Sequence, residues 1–268
     1  MNPQKINSLI FDMDGVLWKE DTPIVDLERI FSIIDSFSIS YVFATNNSTK
    51  SPIDYVNKIN RFGGNVTIPQ IITSGTTLAS KLIEKFPAGG PIFLIGENGL
   101  SEIFTSHGFF LQEEDVLAVV GGLDREITYQ KLTKATLLIN AGADFYFTNI
   151  DPSYPSPIGD IPGAGAILSF LETATGKKAL TVGKPSKYMF DQAIEILKTS
   201  RESTMVIGDR LETDIAGGIN ANCKTVLVLS GISKRNELEN SKIQPDLVCE
   251  DLDEFVTYMK KHDWQVND

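Results

Sequence analysis

The chain has 268 residues, enough for one large domain or two ordinary ones with ample core. Its 42% hydrophobic and 22% charged content is that of a soluble globular protein, and no apolar run nears the ~20 residues that span a bilayer. Thirty-five acidic against 24 basic residues leave a net charge of −11, which disfavours nucleic acid and anionic membranes as partners. The same field repels a phosphorylated substrate, so a site for one needs local positive charge from a metal, a Lys or Arg, or helix N-termini. Cys223 and Cys249 are too few for a disulfide framework or a Cys-based zinc site, and buried free thiols are the default for both. Two histidines, His107 and His262, are expected at the surface and give imidazole catalysis little to work with. Met1 to Lys5 leads into the first apolar run without a signal-peptide h-region, so a cytoplasmic protein is expected.

Leu9, Ile10 and Phe11 read as a strand buried on both faces, of the kind found inside a parallel sheet. Asp12 and Asp14 follow. If the extended backbone persists, period 2 sends both carboxylates to one side, and Gly15 then turns the chain away. Val16 to Asp21 reads as a loop carrying an exposed aromatic, Trp18. Leu27, Ile30, Phe31 and Ile34 have helical spacing, and Ser40 to Ala44 is a second strand ending in Thr45-Asn46-Asn47-Ser48-Thr49. Ser51-Pro52-Ile53-Asp54 carries helix-start signals, and that helix stops at Gly63-Gly64.

Strands and helices alternate from there on: a strand at Gln70 to Thr73, a helix to about Phe86, a strand at Ile92 to Ile95, and a helix from Gly99 to Ser106. A strand at Val116 to Val120, a helix from Tyr129 to Ala141 and a strand at Phe145 to Asn149 continue the pattern. Ile150 to Gly165 is rich in Pro and Gly and reads as a long loop. Beyond it come a helix at Ala166 to Thr173, a strand at Ala179 to Val182, and Gly183-Lys184-Pro185-Ser186 opening a helix. Thr204 to Gly208 is a strand ending at Asp209, followed by a short helix from Thr213 to Ala221. Strands at Thr225 to Leu229 and Asp246 to Cys249 and a last helix from about Leu252 complete the chain. The alternation is the signature of α/β architecture with parallel sheets.

Four polar groups share one property: Asp12/Asp14, Thr45-Asn46, Lys184 and Asp209 each lie at the C-terminal end of an apolar strand. Ligands bind at that edge of open α/β sheets. Taken singly, each has a bland reading as a turn, loop or solvated residue; together they favour one crevice. Two aspartates this close repel unless a cation or a shared proton compensates. Mg²⁺ prefers oxygen ligands, and Asp12 with Asp209 is the natural pair. Thr45 and Asn46 could hydrogen-bond a phosphoryl group, Lys184 could neutralise it and the nucleophile, and Asp14 could exchange protons with the leaving group and with water. The reaction class is phosphoryl transfer through an aspartyl-phosphate.

Asp12-Met13-Asp14-Gly15-Val16-Leu17, Ala44-Thr45-Asn46-Asn47-Ser48, Gly183-Lys184-Pro185 and Gly208-Asp209-Arg210-Leu211-Glu212-Thr213-Asp214 resemble, in order and spacing, the four motifs of the haloacid dehalogenase-like hydrolases. The Thr-Asn-Asn and Gly-Asp-Arg forms look like the NagD / 4-nitrophenylphosphatase / phosphoglycolate phosphatase branch. The resemblance implies a Rossmann-like core, residues 1–76 and 181–268, with an inserted α/β cap at 77–180. It makes Asp12 the nucleophile, Asp14 the acid/base, and Lys184 the bridge between phosphate and nucleophile. Mg²⁺ is then held by Asp12, the Asp14 main-chain carbonyl and Asp209, with Asp214 supporting through water. Dehalogenases lack the second aspartate of the first motif, so dehalogenation is disfavoured.

The cap motif ending in Pro162-Gly163-Ala164-Gly165 is also similar to that branch, which makes Asn149 and Asp151 candidates to face the leaving group. An acidic Asp151 suits a substrate bearing a hydroxyl or an amine. Pro52 stands where many relatives carry Arg, and Glu20 and Val25-Asp26 replace Gly and Pro-Gly, which counts against recognition of a second carboxylate as in phosphoglycolate. The expected function is a Mg²⁺-dependent hydrolase of small phosphorylated metabolites. The alternatives are a phosphotransferase or mutase, and a non-catalytic phosphate-binding or regulatory protein on the same scaffold. Caps of this kind can contribute to homodimer contacts.

Overall fold

The computed structural model describes residues 4–156 and 158–266, and the chain divides into two compact units. The first comprises Met1–Thr45, Pro52–Ile72 and Lys184–Asp268; the second comprises Asn46–Ser51 and Thr73–Gly183. The second unit is the inserted α/β cap, and the first is the Rossmann-like core.

The core is built on a six-stranded sheet in the order Leu247–Cys249, Lys224–Val228, Thr204–Gly208, Ser8–Phe11, Ser40–Thr45 and Ile71–Thr73. Ser8–Phe11 pairs in parallel with both neighbours, Ile10 standing opposite Val42 on one side and Val206 on the other. The period of two divides this strand between the faces. Leu9 and Phe11 pack with Tyr41, Phe43 and the helices Leu27–Ser36 and Leu252–Lys261, whereas Ile10 packs with Val42, Ala44, Val206 and the Tyr188–Leu197 helix. The Leu27–Ser36 helix buries Leu27, Ile30, Phe31 and Ile34, the four residues its spacing marks, and Asp26 caps it by accepting from Arg29 N. From Ser8–Phe11 the chain order runs outward to Ser40–Thr45 on one side, and from Thr204–Gly208 to Lys224–Val228 on the other. The switch point where α/β folds bind ligands therefore lies between Ser8–Phe11 and Thr204–Gly208.

The cap carries a five-stranded parallel sheet, ordered Leu180–Thr181, Asp144–Phe147, Ala118–Gly121, Gly90–Ile95, Phe109–Leu111. Phe93, Ile95, Val119, Phe145 and Phe147 pack against Ala135 and Ile139 of the Tyr129–Ala141 helix and Ile167, Leu168 and Leu171 of the Ala164–Thr175 helix.

Four expectations need correction. The segment read as a long loop from Ile150 to Gly165 holds a β-ribbon, Ser153–Ser156 paired antiparallel with Gly159–Pro162. Prolines are tolerated in a ribbon with no further strand beside it, where a missing N–H leaves no ladder bond broken. Trp18 is fully buried, within a short hairpin formed by Trp18–Lys19 and Thr22–Pro23. Its ring lies 6.1 Å from that of Phe62, with Lys58 Nζ 4.2 Å from its centroid. His107 is half-buried, with Nδ1 2.7 Å from the Ile103 carbonyl oxygen, although His262 is exposed. The short helix expected from Thr213 begins earlier, with a wide turn at Leu211–Ile215 in which Ile215 N reaches back to Arg210 O. Both cysteines are free and buried, as expected, and among the described residues no helix is long and apolar enough to cross a membrane.

Candidate active site

Asp12 leaves the sheet at its C-terminal edge. Its N–H still donates to the Ile207 carbonyl, so its backbone is fixed in the frame of the sheet while its side chain lies beyond the ladder. Asp209 is the residue after the adjacent Thr204–Gly208 strand and is buried. Asp214 follows from the wide turn, also buried, with Oδ2 accepting from Arg210 N. One carboxylate oxygen from each of Asp12, Asp209 and Asp214 lies within 4.8 Å of the others.

Lys184 opens the return of the chain into the core. Its buried ammonium donates to Asp12 Oδ1 (2.5 Å), Asp214 Oδ1 (2.6 Å) and the Ala44 carbonyl (2.9 Å). Burial alone would pull the ammonium toward neutrality, but Asp12 and Asp214 push its pKa above the ordinary lysine value. Burial drives Asp12 well above the usual carboxylate range; Lys184 opposes the shift, and Asp214 and Asp209 add to it. Asp209 is pushed up to about 6, first by burial and then by the charge of Asp214, while the Ile232 N–H at 2.8 Å from Oδ2 pulls the other way.

Three carboxylates share one ammonium, so Asp12 and Asp209 resist ionising together unless further positive charge joins them. An all-oxygen donor set of this kind fits a hard divalent cation. Two glycines make room for the Asp209 carboxylate: a Cβ on Gly15, whose φ is +86°, or on Gly231 would collide with it.

Asp14 is placed differently. The strand ends at Phe11, so the extended backbone does not continue to Asp14, and the nitrogens of Val16, Leu17 and Trp18 turn back onto the Met13 carbonyl. Asp14 is exposed, outside the carboxylate cluster, and accepts from the Trp18 indole N–H at 2.8 Å. Thr45 is buried at the end of its strand, next to Ala44, whose carbonyl meets Lys184.

Within the cap, Asn46 Nδ2 lies 3.1 Å from both carboxylate oxygens of Asp151. Asn149 Nδ2 donates to the Asn46 carbonyl at 2.8 Å, Ser74 Oγ donates to the same oxygen, and Asn149 Oδ1 accepts from Asp151 N. Asn46, Asn149 and Asp151 are thus brought into one hydrogen-bonded cluster. Sequence reasoning missed Gly231 and the Ile232 N–H. Their signal was position: the Ser230-Gly231 pair lies two residues beyond a strand that ends at the same sheet edge.

A model of the haloacid dehalogenase-like hydrolases matches residues 9–110, and a second, HAD-hydrolase-like, matches residues 181–255. An acid sugar phosphatase of Staphylococcus saprophyticus is 34% identical over 253 residues, covering 94% of this chain and 97% of the relative. The chain belongs to the haloacid dehalogenase-like hydrolases. Among solved structures, a 4-nitrophenylphosphatase from Thermotoga maritima is 33% identical with a TM-score of 0.89, covering 94% of this chain and 97% of that one. A p-nitrophenyl phosphatase from Archaeoglobus fulgidus is 30% identical with a TM-score of 0.90, covering 96% and 100%. NagD from E. coli K-12 is 27% identical with a TM-score of 0.85, covering 92% and 97%. Within the family the chain is therefore an enzyme of the NagD and 4-nitrophenylphosphatase branch.

Proposed function

We propose that this phosphatase is a Mg²⁺-dependent, cytoplasmic hydrolase of small phosphorylated metabolites that works through an aspartyl-phosphate on Asp12. The observation that carries the reading is the placement of Lys184 against Asp12 and Asp214, with Asp209 in the same cluster. Asp12, Asp209 and the Asp14 main-chain carbonyl would hold the cation, with Asp214 in support. When bound, the cation supplies positive charge facing the phosphoryl oxygens.

In the first step an Asp12 carboxylate oxygen attacks phosphorus, the bond from phosphorus to the leaving oxygen breaks, and Asp14 delivers its proton to that oxygen. In the second step water attacks phosphorus, Asp14 takes the water proton, and the bond to Asp12 breaks, releasing inorganic phosphate. Lys184 stays protonated throughout and offsets charge on the nucleophile and the transferring group. Thr45 hydrogen-bonds the phosphoryl oxygens. Asn46, expected to share that task, also holds Asp151 through its amide. Asp151, fixed by Asn46 and Asn149, then accepts from a hydroxyl or amine of the leaving group. Such a carboxylate suits sugar phosphates, in keeping with a relative named as an acid sugar phosphatase.

Phosphate release from a panel of sugar phosphates, nucleoside monophosphates and phosphoglycolate, with and without Mg²⁺, tests the reading. Turnover is expected only with the cation, strongest on hydroxyl-bearing substrates, and lost in Asp12→Asn. Absence of release from every substrate with the cation bound would instead indicate a phosphate-binding protein.

A further inference from the structure

We propose that Trp18 is a positioning residue for Asp14, and that its indole N–H fixes the carboxyl group that exchanges protons with the leaving group. This rests on the reading of Asp14 as the acid/base. Asp14 lies past the end of its strand and is exposed, so the sheet does not hold its side chain. An exposed aspartate samples several rotamers, and a proton donor must be aimed. The Trp18 indole can only donate, and it donates to Asp14 Oδ1 at 2.8 Å.

The backbone repeats the link: Gly15 N donates to Trp18 O at 2.8 Å, and Asp14 and Trp18 form an isolated β-bridge. The indole is itself immobilised. Its ring is fully buried and packs near Phe62, and Lys58 Nζ lies 4.2 Å from the ring centroid. Lys58 also donates to the Glu20 carbonyl and lies 3.4 Å from Asp21 Oδ1, tying down the hairpin that carries Trp18. A buried aromatic edge thus supports one oxygen of an exposed carboxyl group, and the other oxygen is left to carry the proton.

The test compares kcat/KM for an alkyl phosphate, whose alkoxide needs a proton to depart, with that for 4-nitrophenyl phosphate, whose phenolate does not. Trp18→Phe keeps a ring and removes the N–H. A second variant places benzothienylalanine at position 18, so that sulfur replaces the N–H in an indole-shaped ring. In both, kcat/KM on the alkyl phosphate is expected to fall on the order of tenfold or more, a part of the about 10²–10⁴-fold that a positioned general acid supplies, with little change on 4-nitrophenyl phosphate. Equal losses on the two substrates, or none on either, in the benzothienyl variant would overturn the proposal, since a contact that merely stabilises the turn cannot distinguish leaving groups. Asp14→Asn, measured alongside, keeps the two questions apart. Leaving-group-selective loss in Asp14→Asn without it at Trp18 refutes the positioning role alone, whereas undiminished alkyl phosphate turnover in Asp14→Asn refutes the acid/base reading beneath it.

Discussion

Lys184 Nζ donates to Asp12 Oδ1 across 2.5 Å, joining residues 172 positions apart in the chain. The same ammonium also donates to Asp214 Oδ1 and the Ala44 carbonyl. Lys184→Met would leave Asp12, Asp209 and Asp214 facing one another with no ammonium among them. Removing one partner of a buried ion pair costs about 3–5 kcal/mol. Urea unfolding without divalent cation should show a loss of that size, part of which returns when Mg²⁺ is added. Unchanged stability in the metal-free variant would mean that the buried charges are not coupled as the distances indicate.

Gly231 offers a second handle on the same cluster. A Cβ there would collide with the Asp209 carboxylate, and Asp209 Oδ2 is otherwise held by the neighbouring Ile232 N–H. Gly231→Ala should therefore displace that carboxylate. We expect weaker Mg²⁺ binding by titration calorimetry, with far-UV circular dichroism unchanged. Wild-type affinity in this variant would remove Asp209 from the cation site.

The core was legible because apolar runs end abruptly in polar residues: Leu9 to Phe11 before Asp12, and Thr204 to Gly208 before Asp209. The helical face of Leu27, Ile30, Phe31 and Ile34 was equally plain. Trp18 was not, because its burial depends on Phe62 and Lys58, which come from a distant helix and the turn beyond it. The ribbon at Ser153–Ser156 and Gly159–Pro162 was hidden by its prolines, which in a longer sheet would break the ladder. The bond from Asn46 to Asp151 joins motifs 105 positions apart, and spacing alone carries no record of it.

The buried thiols give a check on the core that is independent of catalysis. Burial pushes Cys223 up to about 11 and Cys249 up to about 12, from an ordinary value of 9.0. The folded state thus binds these protons more tightly than the unfolded chain. The resulting stability is complete below pH 9.0 and is lost as pH rises toward about 11 for Cys223 and about 12 for Cys249. At pH 8 native protein should resist a thiolate-trapping reagent, and urea-unfolded protein should react at both cysteines. Fast labelling of the native protein would show that these thiols are open to solvent.

Chemical trapping reaches the nucleophile itself. Enzyme quenched during turnover of a phosphate monoester is reduced with borohydride, which converts an aspartyl-phosphate to homoserine, and the first-strand peptide is read by mass spectrometry. Homoserine at position 12, absent when substrate is omitted and absent in Asp12→Asn, is the expected result. Continued phosphate release with aspartate intact at position 12, or homoserine at any other position, would contradict attack by Asp12.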